Sequence, residues 1–295
     1  MKKIIKSKEK NYTNPQGPDE EMLGVLQRET FVYFLKEANN KTGLIADKTQ
    51  PGSPSSIAAT GLGLSCYIAG IERGFITRAD AIKRTLAVLR FFYNSHQGTE
   101  ADATGYKGFY YHFLDMETGK RVWKCELSTV DTAILIAGIL TARYYFTGEN
   151  KSENEIRQLA DKLYEWVDWQ WALNGKDSIS HGWKPESGFL RSRWNKQYCE
   201  AHIIYILALG SPTFPIPPSG YKKWTSTFEW KKLYDIECIY AGPLFIHQMS
   251  QIWLDCKGIS DDFNRKIGID YFENSRRATQ IQQQYAIENP LGFAH

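Results

Sequence analysis

The chain has 295 residues, of which 42% are apolar and 14% aromatic, with 9 Trp and 17 Tyr. That is enough for one large domain or two small ones around a substantial core. The 36 Lys and Arg nearly balance the 33 Asp and Glu, for a net charge of +3, so composition gives no support to a nucleic-acid partner and little to a membrane surface.

The first ten residues, M-K-K-I-I-K-S-K-E-K, are basic but lack the apolar segment of a secretion signal. Residues 1–18 read as a flexible polar tail. No apolar run approaches the ~18 residues of a membrane span. The expectation is a protein that is cytoplasmic by default, unless an export signal is absent from this sequence. From Glu21, Leu23, Leu26, Phe31, Phe34 and Leu35 fall on one helical stripe. Asn39 to Ser55 is loop. A second helix starts near Ser55-Ser56 and runs to about Gly70, and its glycines at 61, 63 and 70 would let a neighbouring backbone come close. Thr77-x-x-Asp80 caps a third helix, with Ile82, Leu86, Leu89 and Tyr93 on one face.

Residues 107–114 alternate at strand spacing, Asp115 to Lys120 is a turn, and Arg121-Val122-Trp123 returns as the second strand of a hairpin. Helix four begins near Ser128, with Val130, Ile134, Ala137 and Leu140. Ser152-x-x-Glu155 opens helix five, with Ile156, Leu159, Leu163 and Trp166. An aromatic loop, 172–194, leads to an apolar helix capped by Asn195 and stopped by Gly210 and Pro212. A stiff S-P-T-F-P-I-P-P linker follows. Tyr221, Trp224, Thr225 and Phe228 have helical spacing. Pro243 opens a further helix, and a long last helix runs from about Asp261 to Tyr285. About nine helices with one hairpin and no βαβ alternation predict an all-α fold, an α/α toroid of antiparallel helix pairs.

Glu200 is the leading candidate for chemistry. It lies four and seven residues before Ile204 and Leu207, on the burying face of its helix. A desolvated carboxyl there has the raised pKa that a general acid needs; the plain alternative is a salt-bridged or cap-linked residue. Trp183, Trp194 and Tyr198 beside it suit a sugar cleft as well as a core. Glu126 and Asp131 flank the start of helix four, although Ser128-x-x-Asp131 is also capping-box spacing. His247 reads first as a hydrogen-bonded core histidine and second as a substrate contact. The six His show no ligand spacing, and no metal or other cofactor is expected. Nor is there a phosphate loop or a serine-nucleophile motif. The five Cys (66, 125, 199, 238, 256) include no C-x-x-C pair and read as small core residues in a reducing compartment. Asp261-Asp262 and Arg276-Arg277 read as capping or solvated charges.

Six ordered blocks carry a resemblance: G-F-Y-Y-H-F-L-D-M-E-T-G-K-R (108–121), E-L-S-T-V-D-T-A (126–133), Y-C-E-A (198–201), L-A-L-G-S-P-T (207–213), G-P-L-F-I-H-Q (242–248) and D-Y-F-E-N-S-R-R-A-T…Q-Q-Q-Y-A-I-x-N-P (270–290). Over roughly residues 20–290 the chain resembles the bacterial glycoamylase-like family, which includes endo-β-1,2-glucanases. The resemblance implies an (α/α)6 barrel over 19–295 with a small hairpin insertion near 107–123, and a monomer acting on an oligo- or polysaccharide. It implies an inverting hydrolase with Glu200 as general acid, and Glu126 and Asp131 lining the sugar cleft. Trp183, Trp194, Tyr198, His247 and Gln248 are its candidate subsite contacts. Cys199 stands where Asn is usual in the family, and Phe214 where His is usual. The family chain also continues beyond the N-P with a further segment bearing the opposing carboxylate base. The expectation is therefore a C-terminally truncated chain, lacking its last helices and that base. Two alternatives stay open: a carbohydrate-binding remnant without catalysis, and a glucoamylase-type hydrolase or transglycosylase acting on another glucan.

Overall fold

A computed structural model describes residues 17–294. The tail expected over residues 1–18 lies, up to residue 16, outside the described residues. About half of the chain is helical, with small sheets between the helices. The helices are α1 (Pro18–Lys36), α2 (Ile57–Glu72), α3 (Arg78–Asn94), α4 (Thr129–Tyr145), α5 (Lys151–Glu165), α6 (Trp169–Leu173), α7 (His202–Leu209), α8 (Ser219–Thr225), α9 (Leu244–Gln248), α10 (Asp262–Ile267) and α11 (Tyr271–Glu288).

α4 is the centre of the molecule. Eleven of its seventeen residues are buried, so it is apolar all round rather than along the single stripe its sequence suggests, as expected for a helix inside a core. It packs against α2, α5 and α7, and α3 packs against α5. The α2–α4 contact is the most extensive. Glycines make it possible: a Cβ on Gly61 would lie 2.6 Å from the Ile134 carbonyl oxygen, and Gly138 sits against Gly61 from the opposite helix. The close backbone approach expected from the small residues of α2 is therefore present.

The strands form the rim at the start of these helices. β1 (Ser55–Ser56) pairs with β4 (Phe113–Leu114), while β2 (Gly105–Tyr106), β3 (Phe109–Tyr111), β5 (Leu127–Ser128), β6 (Gly182–Lys184) and β7 (Gly188–Phe189) form one antiparallel sheet in the order β2-β3-β5-β6-β7. The hairpin expected over 107–123 is corrected by this arrangement. Its first arm pairs elsewhere, and its return makes only the Leu114–Arg121 bridge, because Trp123 and Lys124 take left-handed backbone angles (φ 56° and 49°) that end any strand. A further hairpin, β8 (Trp230–Leu233) with β9 (Ile236–Ile239), was not foreseen.

Several helix boundaries also move. α5 is capped by Asn150, two residues before the expected Ser152. The loop expected over 172–194 contains the β6–β7 hairpin. The helix expected to start after Asn195 starts at His202, with no side-chain cap, though it ends at Gly210 as expected. The long last helix is two helices, because Gly268 turns left-handed (φ 75°) and stops α10. The first half of α1 exposes Met22, Leu23, Val25 and Leu26, so only the later part of its apolar stripe is used.

Asp261 caps α10 and also accepts the hydroxyls of Tyr221 and Tyr271, so it is a structural anchor. Arg276 and Arg277 both pair with Glu273. All five cysteines are free thiols. Among the described residues, no helix is long and apolar enough to cross a membrane.

The α2–α4 contact yields a quantitative expectation. Gly61→Ala forces a methyl into the α4 backbone and should destabilise the protein by about 3 kcal/mol. Urea unfolding measures this; a change below ~0.5 kcal/mol would mean that the two helices separate without loss.

Candidate active site

Two serine caps set the geometry of the site. Ser56 ends β1 and accepts the Ala59 amide at the start of α2 (3.3 Å). Ser128 ends β5 and does the same for the Asp131 amide at the start of α4 (3.3 Å). Because α2 and α4 pack side by side, the two helix starts meet at one rim. His112 lies between them, in the one-residue break between β3 and β4. Its amide donates to the Glu126 carbonyl (3.0 Å), and its own carbonyl accepts from the Ile57 amide (3.2 Å). With its main chain held on both sides, its ring is aimed at two carboxylates. Nδ1 lies 2.9 Å from Glu126 Oε1 and Nε2 lies 3.6 Å from Asp131 Oδ2. The Ser128 hydroxyl donates to the same Asp131 oxygen (2.5 Å). Asp131 is therefore both the cap partner and a member of the cluster, so the two readings of Ser128-x-x-Asp131 are compatible.

The electrostatics follow from burial and pairing. Burial pushes the Asp131 carboxyl above its ordinary pKa, against the opposing effect of His112 and Ser128. Glu126 is only half-buried; desolvation raises its pKa, but the His112 hydrogen bond and charge, a backbone hydrogen bond and Lys184 together outweigh it, and the pKa falls. Burial disfavours the imidazolium of His112, yet Glu126 and Asp131 together hold its pKa above the usual value. The donor atoms of His112, Glu126 and Asp131 lie within 4.8 Å of one another, close enough to share a cation. Both ring nitrogens already face a carboxylate, so the arrangement as it stands is an ion-pair cluster of one imidazole with two carboxylates.

Glu200, from another part of the chain, lies within electrostatic reach of Asp131. It lies in the turn just before α7 rather than on the helix, which corrects the expectation that its place on a helical stripe buries it. What buries it is tertiary. Trp194 donates from Nε1 to Thr129 Oγ1 (2.9 Å) at the start of α4, and the Tyr205 hydroxyl donates to the Trp194 carbonyl (2.5 Å). The Trp224 indole donates to the Gln197 carbonyl (2.7 Å), and the Ser250 hydroxyl to that of Glu200 (3.3 Å). The 194–205 segment is thus tied to the α4 rim. Glu200 is half-buried, and among the described residues its carboxylate has no ion pair. Its pKa is raised, first by burial and then by the negative charge of Asp131 nearby. Of the plain alternatives, the salt bridge is absent among the described residues, while a backbone hydrogen bond at Glu200 itself opposes the rise in its pKa.

The remaining candidates divide by exposure. Trp183 is half-buried in β6, beside Tyr106 and Trp171 at centroid distances of 5.4 and 5.9 Å. Trp194 is buried, with one face stacked on His181 at 3.8 Å, and Tyr198 is buried against Tyr271 and His247. Both serve the packing that positions Glu200, and neither presents a free face. His247 is buried, with Nε2 on the Ala241 carbonyl and Nδ1 facing the Asn274 amide, the core-histidine reading. Gln248 is exposed and donates to Thr279 on α11 (3.2 Å). His112 was missed. Its only sequence signal is a lone ionisable residue within the apolar run Phe109–Leu114, and no spacing rule links it to Glu126 or Asp131.

Comparison with known proteins gives a consistent result. The glycoamylase family model, described as "Putative glucoamylase", matches residues 192–295. An exo β-1,2-glucooligosaccharide sophorohydrolase (non-reducing end) of Parabacteroides distasonis is 32% identical over 309 residues, covering 93% of this chain and 41% of that protein. The chain thus spans well under half the length of this curated relative. Among solved structures, a "putative glucoamylase" from Bacteroides uniformis superposes with a TM-score of 0.83 at 32% identity, over 95% of this chain and 69% of that one. The endo-β-1,2-glucanase from Chitinophaga pinensis, in complex with sophorotriose and glucose, gives 0.79 at 26% identity, over 93% and 68%.

The cluster makes a pH-dependent contribution to stability. The folded-state pKa of His112 lies above its unfolded value. Its ion-pair contribution is therefore complete below about pH 6.5 and is lost as pH rises through the folded-state pKa. His112→Ala should cost about 2 kcal/mol in urea unfolding under mildly acidic conditions and clearly less under alkaline ones. An equal cost at both would show that His112 acts by packing alone.

Proposed function

The chain belongs to the glycoamylase-like family, and we propose that it is a glycoside hydrolase cleaving a β-glucan, most readily a β-1,2-glucan, by an inverting acid/base mechanism. On this reading residues 19–295 form one (α/α)6-type domain, and the rim where α2 and α4 begin is the mouth of the sugar cleft. The observation that carries the reading is Glu200, a half-buried carboxyl with no cationic partner among the described residues and a pKa raised by burial and by Asp131. It lies in a chain 32% identical to a β-1,2-glucooligosaccharide hydrolase along 93% of its length.

The chemistry assigns each group a task. Glu200, its pKa raised by burial and by the charge of Asp131, gives its proton to the glycosidic oxygen as the bond from that oxygen to the anomeric carbon breaks. Water attacks the opposite face of that carbon and passes its proton to a carboxylate base, which an inverting site holds about 6.5–9.5 Å from the acid. Burial, and after it charge repulsion from Asp131, raises the Glu200 pKa. Glu126, kept ionised by His112, accepts hydrogen bonds from sugar hydroxyls. Trp183 lines the cleft as an apolar wall.

Two experiments test this. Glu200→Gln keeps size and loses the proton, and should reduce reducing-end release from linear β-1,2-glucan by more than about a hundredfold while leaving glucan binding and thermal unfolding unchanged. Turnover at a tenth of wild type would remove Glu200 from the acid role. Glucan binding by the wild-type chain without any release would instead support the carbohydrate-binding alternative.

The second test reads the pH profile. Activity should fall on the alkaline side as Glu200 loses its proton. Asp131→Asn removes the charge that lifts the Glu200 pKa, so the alkaline limb of the residual activity should move to lower pH. An unmoved limb would separate Asp131 from the proton donor.

A further inference from the structure

Trp123 is the most exposed of the tryptophans that face solvent, at 66% against 39% for Trp166 and 38% for Trp230. An indole left this open loses the stabilisation that burial would supply. Its backbone is also unusual. Trp123 and Lys124 are consecutive non-glycine residues in the left-handed region (φ 56° and 49°), a conformation that costs about 1–2 kcal/mol for each L-residue.

The surrounding structure imposes that conformation. Arg121 is buried, donates from Nε to the Cys125 carbonyl (2.6 Å), and grips Glu186 with both terminal nitrogens (2.7 and 3.1 Å). The Val122 amide donates to the Phe113 carbonyl (3.2 Å) and the Cys125 amide to that of Val122 (3.1 Å). The loop is thus clamped at both ends, and its crest lifts the indole into solvent.

The crest is connected directly to the acid cluster. Trp123 leans on Phe113 at a centroid distance of 5.2 Å and an interplanar angle of 60°. Phe113 in turn stacks on the His112 ring at 3.9 Å and 13°, and His112 holds Glu126 and Asp131. Because Trp123 meets Phe113 at a tilt, one indole face stays free, two ring contacts from the carboxylates. A pyranose presents a flat C–H face that suits such a ring, and the neighbouring Lys124 is exposed.

We propose that Trp123 is a stacking platform for a sugar ring, an outer subsite that holds the glucan chain beyond the rings at the acid cluster. The assignment rests on the glucan-hydrolase reading above. It makes length the discriminating variable: a short glucan fills the inner positions alone, while a long one also lies across Trp123.

The test uses the full chain and two probes, the β-1,2-linked glucose disaccharide and long linear β-1,2-glucan, with binding measured by calorimetry. Trp123→Ala should weaken binding of the long glucan about tenfold, the size of one lost aromatic contact, and leave disaccharide binding unchanged. Trp123→Tyr should restore most of the loss. Trp166→Ala, which removes an indole stacked on Tyr93 at 4.9 Å, should alter neither. Equal long-glucan binding by wild type and Trp123→Ala overturns the subsite and leaves the glucan-hydrolase reading standing. Equal weakening for both probes, or no rescue by tyrosine, marks Trp123 as structural and also overturns it. A wild-type chain that binds neither probe overturns both the subsite and the reading beneath it.

Discussion

The close approach of α2 to α4 is the constraint on which the site depends. Gly61 and Gly138 let two backbones touch where any side chain would hold them apart. The consequence is positional. Two helix starts, each led in by a two-residue strand and capped by a serine, come to the same rim. The β3–His112–β4 segment bridges them, pairing with β5 through β3 and with β1 through β4. A rim with polar groups at fixed spacing follows from a contact between two apolar helices.

That rim concentrates charge in a place that disfavours it. Asp131 is almost fully buried, and its carboxyl is tolerated because Ser128 donates to it and His112 faces it. Glu126 and Asp131 lie on either edge of one imidazole, so three ionisable groups share a small volume with opposing preferences. Glu200 stands outside this cluster. No cation neutralises it among the described residues, and the neighbouring negative charge lifts its pKa further. Separation of a paired group of charges from an unpaired acid is the arrangement in which carboxyls of one site take different roles.

The aromatic residues serve two purposes that their sequence positions do not distinguish. Trp194 ties the turn before α7 to α4, and Tyr205 on α7 and Trp224 on α8 hold the same turn, by hydrogen bonds from their polar tips while their rings fill the core. Trp183 sits at half depth, and Trp123 is lifted clear by a clamped, left-handed loop. Exposure and backbone strain separate these uses, and both belong to the folded chain.

The sequence by itself determined the helical class, the caps at Thr77 and Ser128, the start of α2 near Ser56, the stop at Gly210, and the close approach at Gly61. Each of these depends on residues a few positions apart, or on the absence of a side chain. It also singled out Glu126, Asp131 and Glu200 as the acids to follow. It placed Asn195 as a cap, paired 107–114 with 121–123, and ran α10 and α11 together. Those readings turned on partners far away in the chain. His112 and Trp123 were invisible for the same reason: a lone ionisable residue in a strand and a tryptophan in a presumed hairpin arm carry no local pattern. Only tertiary structure decided that one ring meets two carboxylates and that the other faces solvent. Local rules act through neighbouring backbone groups, whereas a site is made by charges and surfaces that only packing brings within a few ångströms.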